Sequence, residues 1–269
     1  MSQADLYRGR TVLVTGGTRG IGLATALVFA AHGAQTILTH AWGSADEADV
    51  STQIQAVGGP TPIIVRADVT RAEDTPTLID GIRPHVRGVD AFISNASAAL
   101  VVNGPADYGE RGFMKSMRAS AWATFDYLAA IKQAFGAYPR YVVIMSSDGP
   151  DHFTPGYDFV AASKAAAETL ARYMAYRLRH EQVCINVLRS RAIRTGSFDN
   201  TFGGGFYDFL RRFVPDAWFM TPDEVARAAF ALCSGVFDGV SGQTIMVDRG
   251  NTFADGISYL YERRDALGL

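Results

Sequence analysis

Seven short apolar runs, bounded by turn residues and separated by stretches of helical spacing, constrain this chain more than any other feature. The runs fall at 11–15, 35–39, 62–66, 89–93, 141–145, 183–188 and 244–247. Helical patterns fall at 20–32, 44–57, from 71 onward, 108–135, 157–178 and 222–234. Continuously apolar strands belong in a parallel sheet covered on both faces, because parallel neighbours must be joined by crossovers and the preferred crossover is a right-handed helix. The expected class is therefore α/β: a doubly wound, seven-stranded parallel sheet in one domain spanning 1–269.

Several helix starts carry capping chemistry. Ser44 with Glu47, Thr70 with Glu73, and Thr221 with Glu224 each have the spacing of a capping box, in which side chains satisfy otherwise unpaired amides. Pro222 suits the first turn of the last of these helices. The glycine-rich stretch 195–205 has no such pattern and reads as irregular.

Charge and composition narrow the partners. A formal net charge of −2 leaves no basic footprint for neutralising phosphates, so nucleic acid is not expected. The N-terminal stretch MSQADLYRGR is polar where a signal peptide needs an apolar segment. No run of about 18 apolar residues follows, so no membrane span is expected and a cytoplasmic location is the default. Cys184 and Cys233 stand singly in apolar stretches and read as core residues in a reducing compartment. His32, His40, His85 and His180 have no partners at ligand spacing, so no metal site is expected.

The chemistry begins at Thr15–Gly22, between the first strand and the first helix, where Gly16, Gly20 and Gly22 punctuate the turn. Glycine permits unusual φ angles and lets backbone approach a pyrophosphate, whose charge the helix N-terminus favours. The segment TGGTRGIG resembles the TGxxxGxG signature of the short-chain dehydrogenase/reductase family. Ala67-Asp68-Val69 resembles the family's adenine contact, and Ser94-Asn95-Ala96-Ser97 its NNAG segment. Ser146-Ser147 and the stretch Gly242–Asp248 match in order, so the likeness covers nearly the whole chain. It implies a Rossmann-like fold with a nicotinamide dinucleotide held by Gly16, Thr18, Arg19, Gly20, Ile21, Asp68, Val69, Asn95, Ala96, Lys164, Ile193 and Thr195. The second strand ends in Thr39-His40-Ala41-Trp42, without the carboxylate that would hold ribose hydroxyls and repel a 2′-phosphate. With Arg19 in the glycine turn, NADPH is the expected cofactor; NADH stays open because Asp46 or Glu47 is near in sequence.

The fifth helical stretch discriminates further. Most members of the family use Tyr-x-x-x-Lys, but the position four before Lys164 is Val160, and the tyrosine is Tyr157. Seven helical steps of about 100° return a side chain to within about 20° of the same face, so tyrosine and lysine still share a side. The separation grows to roughly 10 Å along the axis from roughly 6 Å. That displacement suits hydride addition to a C=C bond, where negative charge develops on a distant thioester oxygen and needs a donor placed there. The Tyr-x6-Lys spacing resembles the enoyl-acyl-carrier-protein and enoyl-CoA reductases of the family. The resemblance makes Tyr157 the hydrogen-bond donor to the enolate oxygen and Lys164 the group holding the nicotinamide ribose. It makes Ser147 an orienting partner for the carbonyl.

The sequence also departs from the family pattern. Ser120 replaces an asparagine that supports a proton-relaying water in many members. The usual Asn-x-x-x-Pro-Gly becomes Asn186-Val-Leu-Arg189-Ser190-Arg191, which puts an arginine where a glycine approaches the cofactor. Arg191 could pair with a cofactor or substrate phosphate, or narrow the cleft. Asp148, Asp151 and His152 read as a solvated polar loop. The aromatic-rich stretch near 195–220 falls where the family has its substrate lid and suggests an apolar or acyl-like substrate.

Three functions fit these features. The first is an NADPH-dependent reductase of enoyl thioesters, carried by coenzyme A or a carrier protein, in fatty-acid or specialised metabolism. The second is a carbonyl reductase of a polyketide-like compound. The third is a non-catalytic NADP(H) sensor or scaffold, motivated by Ser120, Arg191 and Val160. The family commonly assembles through its fourth and fifth helices, so a homotetramer or homodimer is expected.

Overall fold

The computed structural model describes residues 5–41, 46–98, 100–191 and 193–268. The seven expected strands all form. They are β1 (Thr11–Val14), β2 (Gln35–His40), β3 (Ile63–Arg66), β4 (Ala91–Ser94), β5 (Tyr141–Ser147), β6 (Cys184–Ser190) and β7 (Thr244–Val247). They pair in parallel in the order β3-β2-β1-β4-β5-β6-β7. The order reverses between β1 and β4, so the carboxyl ends of these two strands flank the crevice in which doubly wound sheets bind ligands.

The helices α1 (Gly20–Ala31), α2 (Glu47–Ala56), α3 (Asp74–Ile82), α4 (Glu110–Met117), α5 (Ala123–Phe135) and α6 (Asp158–Arg177) occupy the expected intervals. Further along lie α7 (Gly196–Phe202), α8 (Gly204–Arg211), α9 (Pro222–Leu232), α10 (Gly256–Glu262) and α11 (Arg264–Leu267). The alternation within each strand divides the core. Leu13, Ile37, Phe92 and Ile144 pack with Leu78 of α3, Leu128 of α5 and Ala171 of α6. Val12, Leu38, Ile93 and Val143 pack on the other face with Phe29 of α1, Ile54 of α2 and Val225 of α9. Burial of both faces is the physical reason that the strands read as unbroken apolar runs.

Four local expectations change. Thr70 does not cap α3: its amide and hydroxyl both donate to Asp68 at 2.8 Å, and the helix starts at Asp74. The α2 cap is Asp46, which accepts from the amides of Ala48 and Asp49, while Ser44 and Trp42 lie outside the described residues. The long helix at 108–135 begins at Glu110 and is interrupted by a π-helical segment, Arg118–Trp122. The glycine-rich stretch 195–205 is not irregular; Thr195 caps α7 through the Phe198 amide, and Gly203 at φ +80° turns the chain into α8. The Thr221–Glu224 capping box forms in full. Cys184 and Cys233 are both buried free thiols. Among the described residues no helix is long and apolar enough to cross a membrane.

Candidate active site

One cavity of about 650 Å³ opens at the carboxyl ends of the strands. Gly16, Thr18, Arg19, Gly20 and Ile21 line it from the turn after β1. Gly16 and Gly20 adopt φ of +63° and +55°, the left-handed region that only glycine enters without strain. A Cβ on Gly22 would stand 2.2 Å from the Gly16 carbonyl oxygen, so the first turn of α1 can lie against the loop only with hydrogen there.

Asp68 and Val69 line the cavity after β3, and Asn95 and Ala96 after β4. The Asn95 side-chain amide donates to the carbonyls of Thr15 and Gly16 at 3.0 and 3.2 Å. The Thr15 hydroxyl accepts from the amides of Asn95 and Ala96, both at 3.0 Å. The NNAG-like segment thus braces the glycine turn from the neighbouring strand. Ile193 and Thr195 complete the lining, and Thr195 faces the turn closely enough that a Cβ on Gly20 would meet its methyl at 3.4 Å.

Lys164, Ser147 and Tyr157 line the same cavity. Lys164 is buried on α6 and donates to the Met145 carbonyl at 3.1 Å. An ammonium carries three N–H donors, and among the described residues this is its one acceptor, which suits a group meant to hold ribose hydroxyls. Burial lowers the Lys164 pKa to about 8, and the Glu168 carboxylate one turn along α6 opposes the fall. Tyr157 is the N-cap residue of α6, not a member of its first turn. Its ring contacts Gly149 on one side and stands 5.9 Å from the Phe202 ring on another. Burial raises the phenol pKa, the Asp148 charge adds to the rise, and a hydrogen bond with Ser147 opposes it. Val160, where the nearer tyrosine would be, is buried and apolar.

Several residues differ from their expected roles. Asp148 is not solvated: its side chain is 13% exposed and pairs with Arg191 at 3.1 Å. Asp151 and His152 are exposed as expected. Ser120, on the π-helical segment, shares a hydrogen bond with Ser97 at 2.9 Å. Glu47 is held by His40 at 3.0 Å. Phe198, Phe202 and Phe206 cluster with ring centroids 4.9–5.9 Å apart and face the cavity. The C-terminal Asn251 and Tyr259 also line it, a contribution that no local motif announces. Among the described residues no cluster of His, Cys, Asp and Glu could hold a metal ion.

A family model described as enoyl-(acyl carrier protein) reductase matches residues 16–252. The chain belongs to the short-chain dehydrogenase/reductase family. It is an oxidoreductase of that family, whose members bind NAD(P)(H). The curated relatives include 3beta-hydroxysteroid dehydrogenase 1 of Eggerthella lenta, 26% identical over 263 residues, which are 95% of this chain and 98% of the relative. They also include 1-cyclohexenylcarbonyl-CoA reductase of Streptomyces collinus, 25% identical over 257 residues, covering 92% of this chain and 89% of the relative. A solved 7α-hydroxysteroid dehydrogenase, in complex with NADH and 7-oxo glycochenodeoxycholic acid, superposes with a TM-score of 0.81. It is 24% identical and covers 93% of this chain and 97% of its own.

Proposed function

We propose that this short-chain reductase uses NADPH to reduce the C=C bond of an enoyl thioester, carried by coenzyme A or a carrier protein. The observation that carries the reading is the pairing of Tyr157 with Lys164 and Ser147 around one cavity while Val160 is apolar. The relative named as a cyclohexenylcarbonyl-CoA reductase supports it.

In this reading the dinucleotide, when bound, supplies hydride. Gly16, Thr18, Gly20, Ile21 and Thr195 would hold its pyrophosphate, Asp68, Val69, Asn95 and Ala96 its adenosine side, Ile193 its carboxamide, and Arg19 its 2′-phosphate. Lys164 donates to the nicotinamide ribose and supplies positive charge beside the reacting centre. Tyr157 donates a hydrogen bond to the thioester oxygen as negative charge gathers on it, which lowers the barrier only because the donor is placed for the charged state. Its raised pKa keeps the phenol protonated and able to donate. Ser147, which lines the same cavity, orients the carbonyl. The aromatic α7–α8 segment forms an apolar lid over the acyl group and excludes water.

A second reading, ketone reduction on a polyketide-like compound, is favoured by Ser147 and Tyr157 lining the same cavity, since two hydroxyls can meet one carbonyl oxygen. Product analysis with NADPH and either crotonyl-CoA or acetoacetyl-CoA separates the two. Saturation of the first without reduction of the second supports the enoyl reading; ketone reduction alone overturns it. Assembly as a homo-oligomer is part of the proposal, supported by the exposed Leu170, Tyr173 and Tyr176 of α6 and the exposed Trp122 of the π-helical segment that packs against α6. A monomer in light scattering would remove that part.

A further inference from the structure

Two arginines at the end of β6, Arg189 inside the strand and Arg191 just past it where the family pattern has glycine, both reach the loop that carries Tyr157. Arg189 is 12% exposed. Its Nε and Nη2 donate to the two oxygens of Glu168 at 2.8 and 2.6 Å, a two-point grip that fixes the guanidinium plane. Its remaining Nη1 donates to Asp151. The Glu168 carboxylate also accepts from Ser146 at 2.6 Å, which ties the group to β5. Arg191 pairs with Asp148 at the start of the same loop.

Apart from these ion pairs, the loop 148–157 is held by few bonds: the Gly156 carbonyl accepts from the Val102 amide at 3.3 Å and the Gly149 amide donates to the Ser147 hydroxyl at 3.4 Å. The amides of Asp151 and His152 both donate to the Asp148 carbonyl at 3.0 Å, and the Tyr157 amide donates to Thr154 at 3.2 Å. Phe153 is almost wholly exposed, so no apolar anchor sits at the loop's tip. Tyr157, at the far end, is a helix N-cap residue without a side-chain cap bond. A tyrosine at position 160 would be held by the helix itself; at 157 its place depends on the loop.

We propose that Arg189 and Arg191 are positioning residues that clamp loop 148–157 through Asp151 and Asp148 and so hold the Tyr157 hydroxyl over the cavity. The proposal rests on the reading of Tyr157 as the hydrogen-bond donor. It is specific to a chain whose donor has moved out of the helix. A buried arginine gripping Glu168 at both oxygens is rigid, whereas Asp151 is 58% exposed and is the part that can be removed without stranding a buried charge.

The test uses Asp151→Asn and Asp148→Asn, alone and in a Tyr157→Phe background, with the enoyl or keto thioester that the native chain turns over. Each substitution is expected to lower kcat about tenfold with the NADPH KM unchanged, since a small misplacement of a donor costs rate and not cofactor binding. In the Tyr157→Phe background neither is expected to cost anything further, because the clamp acts through that hydroxyl. Amide hydrogen exchange at 151–157 is expected to quicken about tenfold in both variants while β5 and β6 stay protected. A multiplicative loss in the Tyr157→Phe background, or unchanged exchange and kcat, overturns the clamp alone. Tyr157→Phe with full native kcat overturns the site reading and the clamp together. Asp151→Glu, which keeps the charge, is expected to recover most of the rate.

Discussion

The ring of Tyr157 lies directly on the backbone of Gly149: a Cβ at that glycine would stand 2.7 and 2.8 Å from two ring carbons. Real Cβ atoms do not approach so closely, so Gly149→Ala must displace the ring. The next nearest atom is the Ala161 methyl, at 3.4 Å, and the fold should tolerate the change. The expected outcome is a roughly tenfold fall in kcat, with native-like far-UV circular dichroism and unchanged NADPH binding. Steady-state kinetics beside a cofactor titration checks both halves.

Lys164 predicts a pH dependence of stability. Its ammonium gives up its proton near pH 8 in the folded chain, against 10.5 in the unfolded one, because burial penalises the charge. The unfolded chain therefore binds more protons between these values, and stability rises with pH across that window and is lowest below pH 8. The displacement corresponds to about 3 kcal/mol against the charged form. Lys164→Met is expected to be more stable than the native chain at pH 7, with the gap reduced by more than half at pH 9.5. Urea unfolding of both proteins at the two pH values measures it; a gap that stays constant contradicts the buried-ammonium account.

The central strands were legible because they are buried on both faces, which leaves period-free apolar runs such as Val12–Val14 and Ala91–Ile93. The glycine turn was legible because left-handed backbone at Gly16 and Gly20 demands that residue. Thr221 announced its helix because its partner Glu224 is local, whereas Thr70 misled because Asp68, two residues back, competes for its hydroxyl. The π-helical insertion at Arg118–Trp122 leaves no periodic trace over five residues. The ion pairs Arg189–Glu168 and Arg191–Asp148 join residues 21 and 43 apart, and nothing in the spacing of charges says which will meet.

Gly22 is the strictest position in the cofactor turn. A methyl group there would come within 2.2 Å of the Gly16 carbonyl oxygen, which is backbone and cannot rotate away, and Asn95 Nδ2 closes the other side at 2.7 Å. Gly22→Ala is expected to spread the turn and weaken NADPH binding at least 100-fold, or about 3 kcal/mol. Quenching of protein fluorescence on cofactor titration reads the loss.

The proposed preference for NADPH rests on Arg19. It is exposed at the cavity edge, precedes the first turn of α1, and makes no ion pair among the described residues. The carboxylate that would favour a bare ribose is engaged elsewhere: Asp46 caps α2 and Glu47 meets His40 at 3.0 Å. A guanidinium facing a 2′-phosphate contributes a charge-assisted, two-point contact that the unphosphorylated cofactor cannot make. Arg19→Gln is expected to raise the KM for NADPH about tenfold, a loss of about 1.4 kcal/mol, while the KM for NADH stays within twofold. Equal losses for both cofactors would assign Arg19 to the pyrophosphate, and no loss for either would make it a solvated loop residue.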